Sequence, residues 1–258
     1  MPIDNELYDH LASTWWDEDK VLNLLRTVVN PGRFGYFRQV LQEQLKIDPL
    51  GKQALDVGCG GGLLAEEFAQ LGYQVTGIDP SEPSVAAARA HAQQQGLAIE
   101  YRIGVGESLP FADASFDVVY CCDVLEHVAD LERVILEIAR VLKKDGIFFY
   151  DTINRTLFSK LISIKLLQEW TSTSLMPLNL HEWKMFIKPR ELQALMKRYG
   201  LIPLELTGLG PHVNPITLVT LLRKRKRGEL SYKEVGARAK MGRIKNTSNS
   251  YMGYATKG

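Results

Sequence analysis

The spacing of apolar residues changes several times along the chain, and the changes mark out alternating strands and helices. Residues 54–57 (Ala54, Leu55, Asp56, Val57) form a short apolar run closed by glycines, the signature of a buried strand. Beyond the glycines, Leu64, Phe68 and Leu71 recur at i, i+4 and i+7, one apolar helical face that Gly72 stops. Residues 74–79 predict a second strand ending on Asp79, 85–96 an alanine-rich helix, 99–103 a third strand and 116–121 a fourth. The helix predicted over 130–142 takes Asp130 as its N-cap and turns Leu131, Val134, Ile135 and Ile138 to one side. Lys143 and Lys144 suit the C-terminal end of its dipole, and Gly146 ends it. Residues 147–152 are almost wholly apolar, as a central parallel strand is. Five strands alternating with helices predict a doubly wound α/β sheet that binds its ligand at the carboxyl ends of the strands.

The flanks depart from this alternation. Tyr8, Leu11, Trp15, Leu22, Leu25 and Val29 predict helix over 4–29, Asn30-Pro31-Gly32 breaks it, and 33–45 predicts a second helix, so residues 1–50 read as an N-terminal helical cap. Residues 154–190 read as an insertion after the fifth strand. Within it Thr156, Ser159, Lys160 and Ser163 fall on one helical face and Leu157, Phe158, Leu161 and Ile164 on the other, although Lys165 interrupts the apolar side. Such a segment serves as a lid packed on its own domain or as an interfacial membrane helix, and the lid is the preferred expectation. Residues 189–199 predict a helix and 202–207 a strand. The last strand is either 216–222 or 250–255, and 218–248 reads as an extended connection carrying Arg223-Lys224-Arg225-Lys226-Arg227. A charge run of this kind is a solvated face or an attraction to anionic lipid.

Composition narrows the class. A chain of 258 residues can bury a full core in one α/β domain, so 1–258 is expected to be a single domain. A formal net charge of +1 gives no global attraction to nucleic acid, and none is expected as a partner. The three cysteines are odd in number and two are adjacent, which suits a reducing compartment better than a disulfide framework. The N-terminus lacks an apolar signal core, and no run of about 18 apolar residues occurs. The expectation is a cytoplasmic protein, at most peripheral at a membrane.

Chemistry centres on Leu55-Asp56-Val57-Gly58-Cys59-Gly60-Gly61-Gly62. Glycine takes positive φ without strain and lets a ligand approach the backbone, so several at a strand-to-helix junction point to a ligand loop. A dinucleotide fingerprint fails, because counting from Gly58 gives Gly60 and then Leu63 where the third glycine belongs. A P-loop fails for want of Gly-Lys-Ser/Thr. The remaining pattern resembles the first motif of the class I S-adenosylmethionine-dependent methyltransferases. Asp79, about 20 residues on, stands where a carboxylate can accept hydrogen bonds from both ribose hydroxyls.

Further pieces are more particular: Ala12-Ser13 with Trp15-Trp16-Asp17, Asn30-Pro31 with Arg33, Leu125-Glu126-His127-Val128, Asn154-Arg155, Phe186-Ile187-Lys188-Pro189 and Asn214-Pro215-Ile216-Thr217. With these the chain resembles, over nearly its whole length, the ubiquinone-biosynthesis O-methyltransferase family, which methylates a catechol-type hydroxyl on a polyprenylated ring. The resemblance implies a Rossmann-like, seven-stranded, mostly parallel sheet with an antiparallel last strand, for which Asn249-Ser250-Tyr251 favours 250–255. It implies cofactor contacts at Arg33, Gly58, Gly60, Asp79 and Cys122, Arg33 pairing with the methionine carboxylate. Glu107 is the candidate beside the adenine, since Val105 replaces an acid common two residues earlier.

The family also uses a divalent cation, and Asp123, Glu126 and His127 match its ligand cluster, with Mg²⁺ the first candidate and Mn²⁺ or Zn²⁺ also suited. Glu-His at this place also occurs in metal-free methyltransferases, where it borders the pocket. A cation or a general base would activate the acceptor hydroxyl, Glu126, His127 and His181 being the catalytic candidates. The alternatives are a methyltransferase for a soluble small molecule and an inactive cofactor-binding protein.

Overall fold

The structure, a computed structural model, describes residues 5–258. Residues 1–4, which include the first residue of the predicted N-terminal helix and part of the polar start of the chain, lie outside the described residues. Strands β1 (Gln53–Val57), β2 (Gln74–Asp79), β3 (Ile99–Ile103), β4 (Phe116–Cys121), β5 (Leu142–Ile153), β6 (Leu201–Pro211), β7 (Met241–Ile244) and β8 (Ser250–Lys257) form one sheet in the order β3-β2-β1-β4-β5-β8-β6-β7. The first five pair in parallel, and β8 lies antiparallel between β5 and β6. Strand order reverses between β1 and β4, so the crevice at their carboxyl ends is the expected ligand site.

The sheet differs from the sequence expectation in strand number: it has eight strands instead of seven, because Met241–Ile244 adds an antiparallel edge to β6. Of the two candidates for the last strand, Ser250–Lys257 is the one that pairs, antiparallel as expected, whereas 216–222 is helical. Asn214 caps that helix by accepting from the Thr217 N–H at 2.9 Å, and Pro215 fills its first turn, where no N–H is needed.

Helices cover both faces: α1 (Asn5–Leu11), α2 (Asn30–Arg38), α3 (Leu63–Leu71), α4 (Glu82–Gln94), α5 (Leu131–Val141), the single turn α6 (Leu157–Ser159), α7 (Pro189–Arg198), α8 (Pro215–Lys226) and α9 (Tyr232–Ala239). Asn30-Pro31-Gly32 does not break the chain as expected; it starts α2, with Pro31 again in the first turn. Gly32 is needed there because a Cβ would lie 2.3 Å from the Met241 carbonyl oxygen, so α2 can approach β7 only without a side chain. Lys143, Lys144 and Gly146 do not finish α5 but open β5 directly.

One core lies between the sheet and α2–α4, around Phe37, Phe68, Tyr120 and Phe149; Phe68 and Tyr120 stack at 4.0 Å. The other lies under α5 and α7, where Val134, Ile135 and Ile138 are fully buried against Phe148 and Tyr150. Burying each such side chain stabilises the fold by roughly 1.5–3 kcal/mol, which fixes α5 and with it the preceding loop 122–130. No helix among the described residues is long and apolar enough to cross a membrane.

Candidate active site

The carboxyl ends of β1, β2, β3 and β4 open onto a cavity of ≈ 360 Å³, of the size that takes a small-molecule ligand. Its floor is the glycine turn after β1. Gly58, Gly60 and Gly62 have φ of +77°, +49° and +84°, the left-handed region that an L side chain rarely adopts. The predicted N-terminal cap closes over this turn. Trp15 lies against Gly60 and Gly61 and donates from Nε1 to Ser84 Oγ at 3.0 Å, while Trp16 donates to the Gly61 carbonyl at 3.0 Å.

Asp79 ends β2 beside the turn. Its carboxylate accepts from the Gly60 N–H at 2.8 Å and the Ser81 N–H at 2.9 Å, and burial raises its pKa against these bonds. Glu107 lines the cavity, but its Oε1 accepts from the Ala129 N–H at 3.0 Å and so braces the loop before α5. Val105, Gly106 and Val128 line the cavity with Glu107. Cys122 is buried and lines the cavity between β4 and Asp123.

Arg33 comes from α2 and is almost fully buried. Its guanidinium donates to Asn30 Oδ1 at 2.8 Å and forms ion pairs with Asp123 and Asp151. Asp151, also buried, accepts the Asp123 N–H at 2.9 Å, and Asp123 itself has a left-handed backbone with φ +55°. Burial pushes the Asp151 carboxyl up, while Arg33 pulls it back. Asp123 is therefore engaged with Arg33, which the sequence reading had as a partner of the cofactor and not of the protein's own acids.

A second cluster lies beyond Asp123. Glu126, His127 and His181 each bring one ligand atom within 4.8 Å of the others. Thr152, at the end of β5, donates its hydroxyl to Glu126 Oε2 at 2.7 Å. Burial, with Asp123 adding, pushes the Glu126 carboxyl up to about 8 against that bond. Burial and the neighbouring His181 hold the His127 imidazole well below its usual range, and burial pushes His181 down to about 4 against the pull of Asp123. Both rings are therefore neutral at pH 7. They pack with centroids 5.1 Å apart, and Tyr8 of the N-terminal segment meets His127 edge-on at 6.5 Å.

This is a cofactor-sized crevice at the switch point of a doubly wound sheet, with an acid at the end of β2 and a carboxylate–imidazole group beside it. A model of the methyltransferase domain matches residues 55–150, the span from β1 through the greater part of β5. The chain is 40% identical over 215 residues to the ubiquinone biosynthesis O-methyltransferase of Marinobacter nauticus, covering 82% of this chain and 86% of that one. It is 35% identical over 214 residues to the protein of the same name from a Methylobacterium species, covering 80% and 84%. The chain belongs to the ubiquinone biosynthesis O-methyltransferase family. It is a S-adenosylmethionine-dependent O-methyltransferase.

The fold agrees: a possible histamine N-methyltransferase from Thermotoga maritima superposes with a TM-score of 0.60 at 18% identity, covering 99% of this chain and 100% of that one. Of the residues singled out in the sequence, Arg33, Gly58, Gly60, Asp79, Glu107, Cys122, Asp123 and His127 line one cavity. His181 joins Glu126 and His127 although 54 residues separate it from His127. Two members of the site went unnoticed: Asp151, whose signal was a lone acid in an apolar strand, and Tyr8, which read only as a helical apolar position.

The insertion docks in an unexpected way. Its polar face turns inward: Thr156 donates to the Ser248 carbonyl at 2.6 Å, Ser163 to Asn249 Oδ1 at 3.1 Å, and Ser159 is fully buried. The apolar residues Leu157, Phe158 and Leu161 face outward, with Leu157 78% exposed; only Ile164 packs inward. The basic run ends α8 beside the same segment, where Lys226 donates to Ser174 Oγ at 3.4 Å, and Arg225 stacks over Tyr232 at 4.1 Å. It is thus partly tied into the fold, at the C-terminal end of α8.

Proposed function

We propose that this enzyme methylates one hydroxyl of a catechol or quinol ring on a polyprenylated ubiquinone precursor, in keeping with the ubiquinone biosynthesis and O-methylation that its relatives' names state. The observation that carries the reading is the Glu126–His127–His181 group beside the cofactor cavity, since a phenol near pKa 10 must lose its proton to become a good nucleophile. The bound cofactor supplies an electrophilic methyl on a sulfonium.

The chain's part is to hold and orient. Gly58 and Gly60 admit the cofactor close to the backbone, Asp79 accepts from its ribose hydroxyls, and Cys122 contributes backbone. Arg33, which lines the cavity, supplies the positive charge for the cofactor's carboxylate while its pair with Asp123 stays in place. Glu126, His127 and His181 activate the acceptor hydroxyl, by accepting its proton or by holding a cation. Orienting two reacting groups in this way supplies several kcal/mol of the barrier reduction. The test is a methylation assay across prenylated and unprenylated catechols and quinols, with and without chelator. Methyl transfer to a prenylated catechol is expected; transfer only to soluble amines or acids would remove the proposed acceptor.

The outward apolar face of the insertion favours a membrane surface as the place where that acceptor is met. Leu157, Phe158, Leu161 and Leu178 stand exposed on the insertion, which the basic end of α8 meets at Ser174; apolar and basic residues together bind anionic bilayers, each basic residue adding about 1 kcal/mol. The protein is expected to float with liposomes containing anionic lipid, and a Leu157→Glu/Phe158→Glu/Leu161→Glu variant to stay in the load fraction. Equal flotation of both would rule out this face.

A further inference from the structure

The acid that the family resemblance makes the first cation ligand is already committed. Asp123 is paired with the buried Arg33, its N–H is held by Asp151, and its backbone is left-handed. It is not among the described residues whose ligand atoms converge within 4.8 Å; those are Glu126, His127 and His181.

Within that trio two buried atoms have no hydrogen-bond partner among the described residues, Glu126 Oε1 and His181 Nδ1. Leaving a polar atom buried and unpaired costs about 1–3 kcal/mol, more for a charged group, so a missing species is indicated. Both atoms offer lone pairs when the carboxyl is ionised and the ring nitrogen unprotonated. The other Glu126 oxygen is already fixed by Thr152, which leaves Oε1 to point elsewhere. His181 is also held deliberately. Its backbone N–H donates to Gln168 Oε1 at 2.8 Å, and Gln168 Nε2 donates back to the His181 backbone carbonyl at 3.2 Å, from a buried glutamine on the insertion.

We propose that His181 replaces Asp123 as the third ligand, so that Glu126, His127 and His181 hold a divalent transition-metal ion in place of Mg²⁺. This rests on the O-methyltransferase reading and commits its activation step to a cation. Two imidazoles and one carboxylate suit Zn²⁺, Fe²⁺ or Co²⁺, whereas Mg²⁺ prefers oxygen ligands and keeps its waters. Three protein ligands leave coordination positions for the adjacent oxygens of a catechol. Because one ligand comes from the insertion, the metal site is complete only when that segment is docked, and Gln168 is a positioning residue for it.

The test uses the full chain stripped of metal with chelator and titrated with Co²⁺ by visible absorption, with S-adenosylhomocysteine binding by calorimetry as the check of folding. Co²⁺ is expected to bind and to resist displacement by an equal concentration of Mg²⁺. His181→Ala is expected to weaken Co²⁺ by more than about tenfold, the loss that disturbing a metal site produces, with S-adenosylhomocysteine binding retained. Asp123→Asn is expected to keep Co²⁺ affinity. Loss of Co²⁺ in Asp123→Asn with retention in His181→Ala overturns the proposal, as does displacement by equimolar Mg²⁺ or no binding at all. Full methylation of a quinol in chelator sinks the cation and leaves the enzyme reading standing. Co²⁺ held through His181 with no methylation of any catechol does the reverse.

Discussion

Glu126→Gln is expected to lower turnover by about 10²–10⁴, the range for losing a group that handles the proton of the nucleophile. S-adenosylhomocysteine should bind nearly as before. The two effects separate because Glu126 is not among the residues that line the cavity proposed for the cofactor: Gly58, Asp79 and Arg33 line it, while Glu126 is buried and bonded to Thr152. Glutamine has the shape of the protonated acid and can still accept from Thr152 through its amide oxygen. It can neither take a proton nor offer an anionic ligand. The substitution should also cost little stability, since burial already raises the carboxyl to about 8 and favours its neutral form. Single-turnover methylation with saturating cofactor checks the rate, and calorimetric titration checks binding. Undiminished turnover in Glu126→Gln and His127→Ala together would remove this group from the chemistry.

The parts of the fold that were legible in the sequence were those in which one local pattern does one job. The β1 run, its glycines and Asp79 could be placed because strand burial, positive φ and strand length are all set within about 25 residues. Arg33 reads as a surface residue without the family resemblance, because nothing near it in sequence predicts burial. Its charge is neutralised by Asp123 and Asp151, which only the pairing of β4 with β5 brings to α2. The amphipathic reading of 156–164 separates Ser159 and Ser163 from Leu157, Phe158 and Leu161 but places Lys160 and Ile164 on the wrong sides, and it does not say which face turns inward. Ser159 and Ser163 go inward because carbonyl and amide partners at Asn154 and Asn249 satisfy them, and such partners lie outside any periodicity argument.

The convergence of His181 on Glu126 was invisible for the same reason. Segment 154–190 is fixed to the domain by polar contacts such as the Thr156 hydroxyl to the Ser248 carbonyl at 2.6 Å and the Tyr251 hydroxyl to the Ile187 carbonyl at 3.1 Å. These contacts place a histidine from one element beside a carboxylate from another. The insertion therefore does two things at once: its inner side completes the Glu126–His127–His181 group and its outer side presents apolar residues to the surroundings.

Arg33→Met is expected to be the most destabilising substitution at this site and to abolish cofactor binding. Removing the guanidinium leaves the buried Asp151 without its counter-charge, a change that costs about 3–5 kcal/mol when a buried pair is broken. The sign of its pH dependence follows from Asp151. Its folded pKa is already raised by burial and rises further when Arg33 no longer opposes it, while the unfolded value stays near an ordinary ~3.9. Below the unfolded value both states hold the proton, and the deficit is limited to packing. Between the two values the folded state binds the extra proton, so stability falls as pH rises and then levels above the folded value. Urea denaturation should therefore show a larger deficit at pH 8 than at pH 5, and a deficit equal at both would mean that Asp151 is not the group left exposed to the loss. Arg33→Met/Asp151→Asn separates the two roles of the arginine. It keeps an acceptor for the Asp123 N–H and removes the buried charge, so most of the stability should return. Cofactor affinity should not return, because no cation remains for the carboxylate of the methionine group.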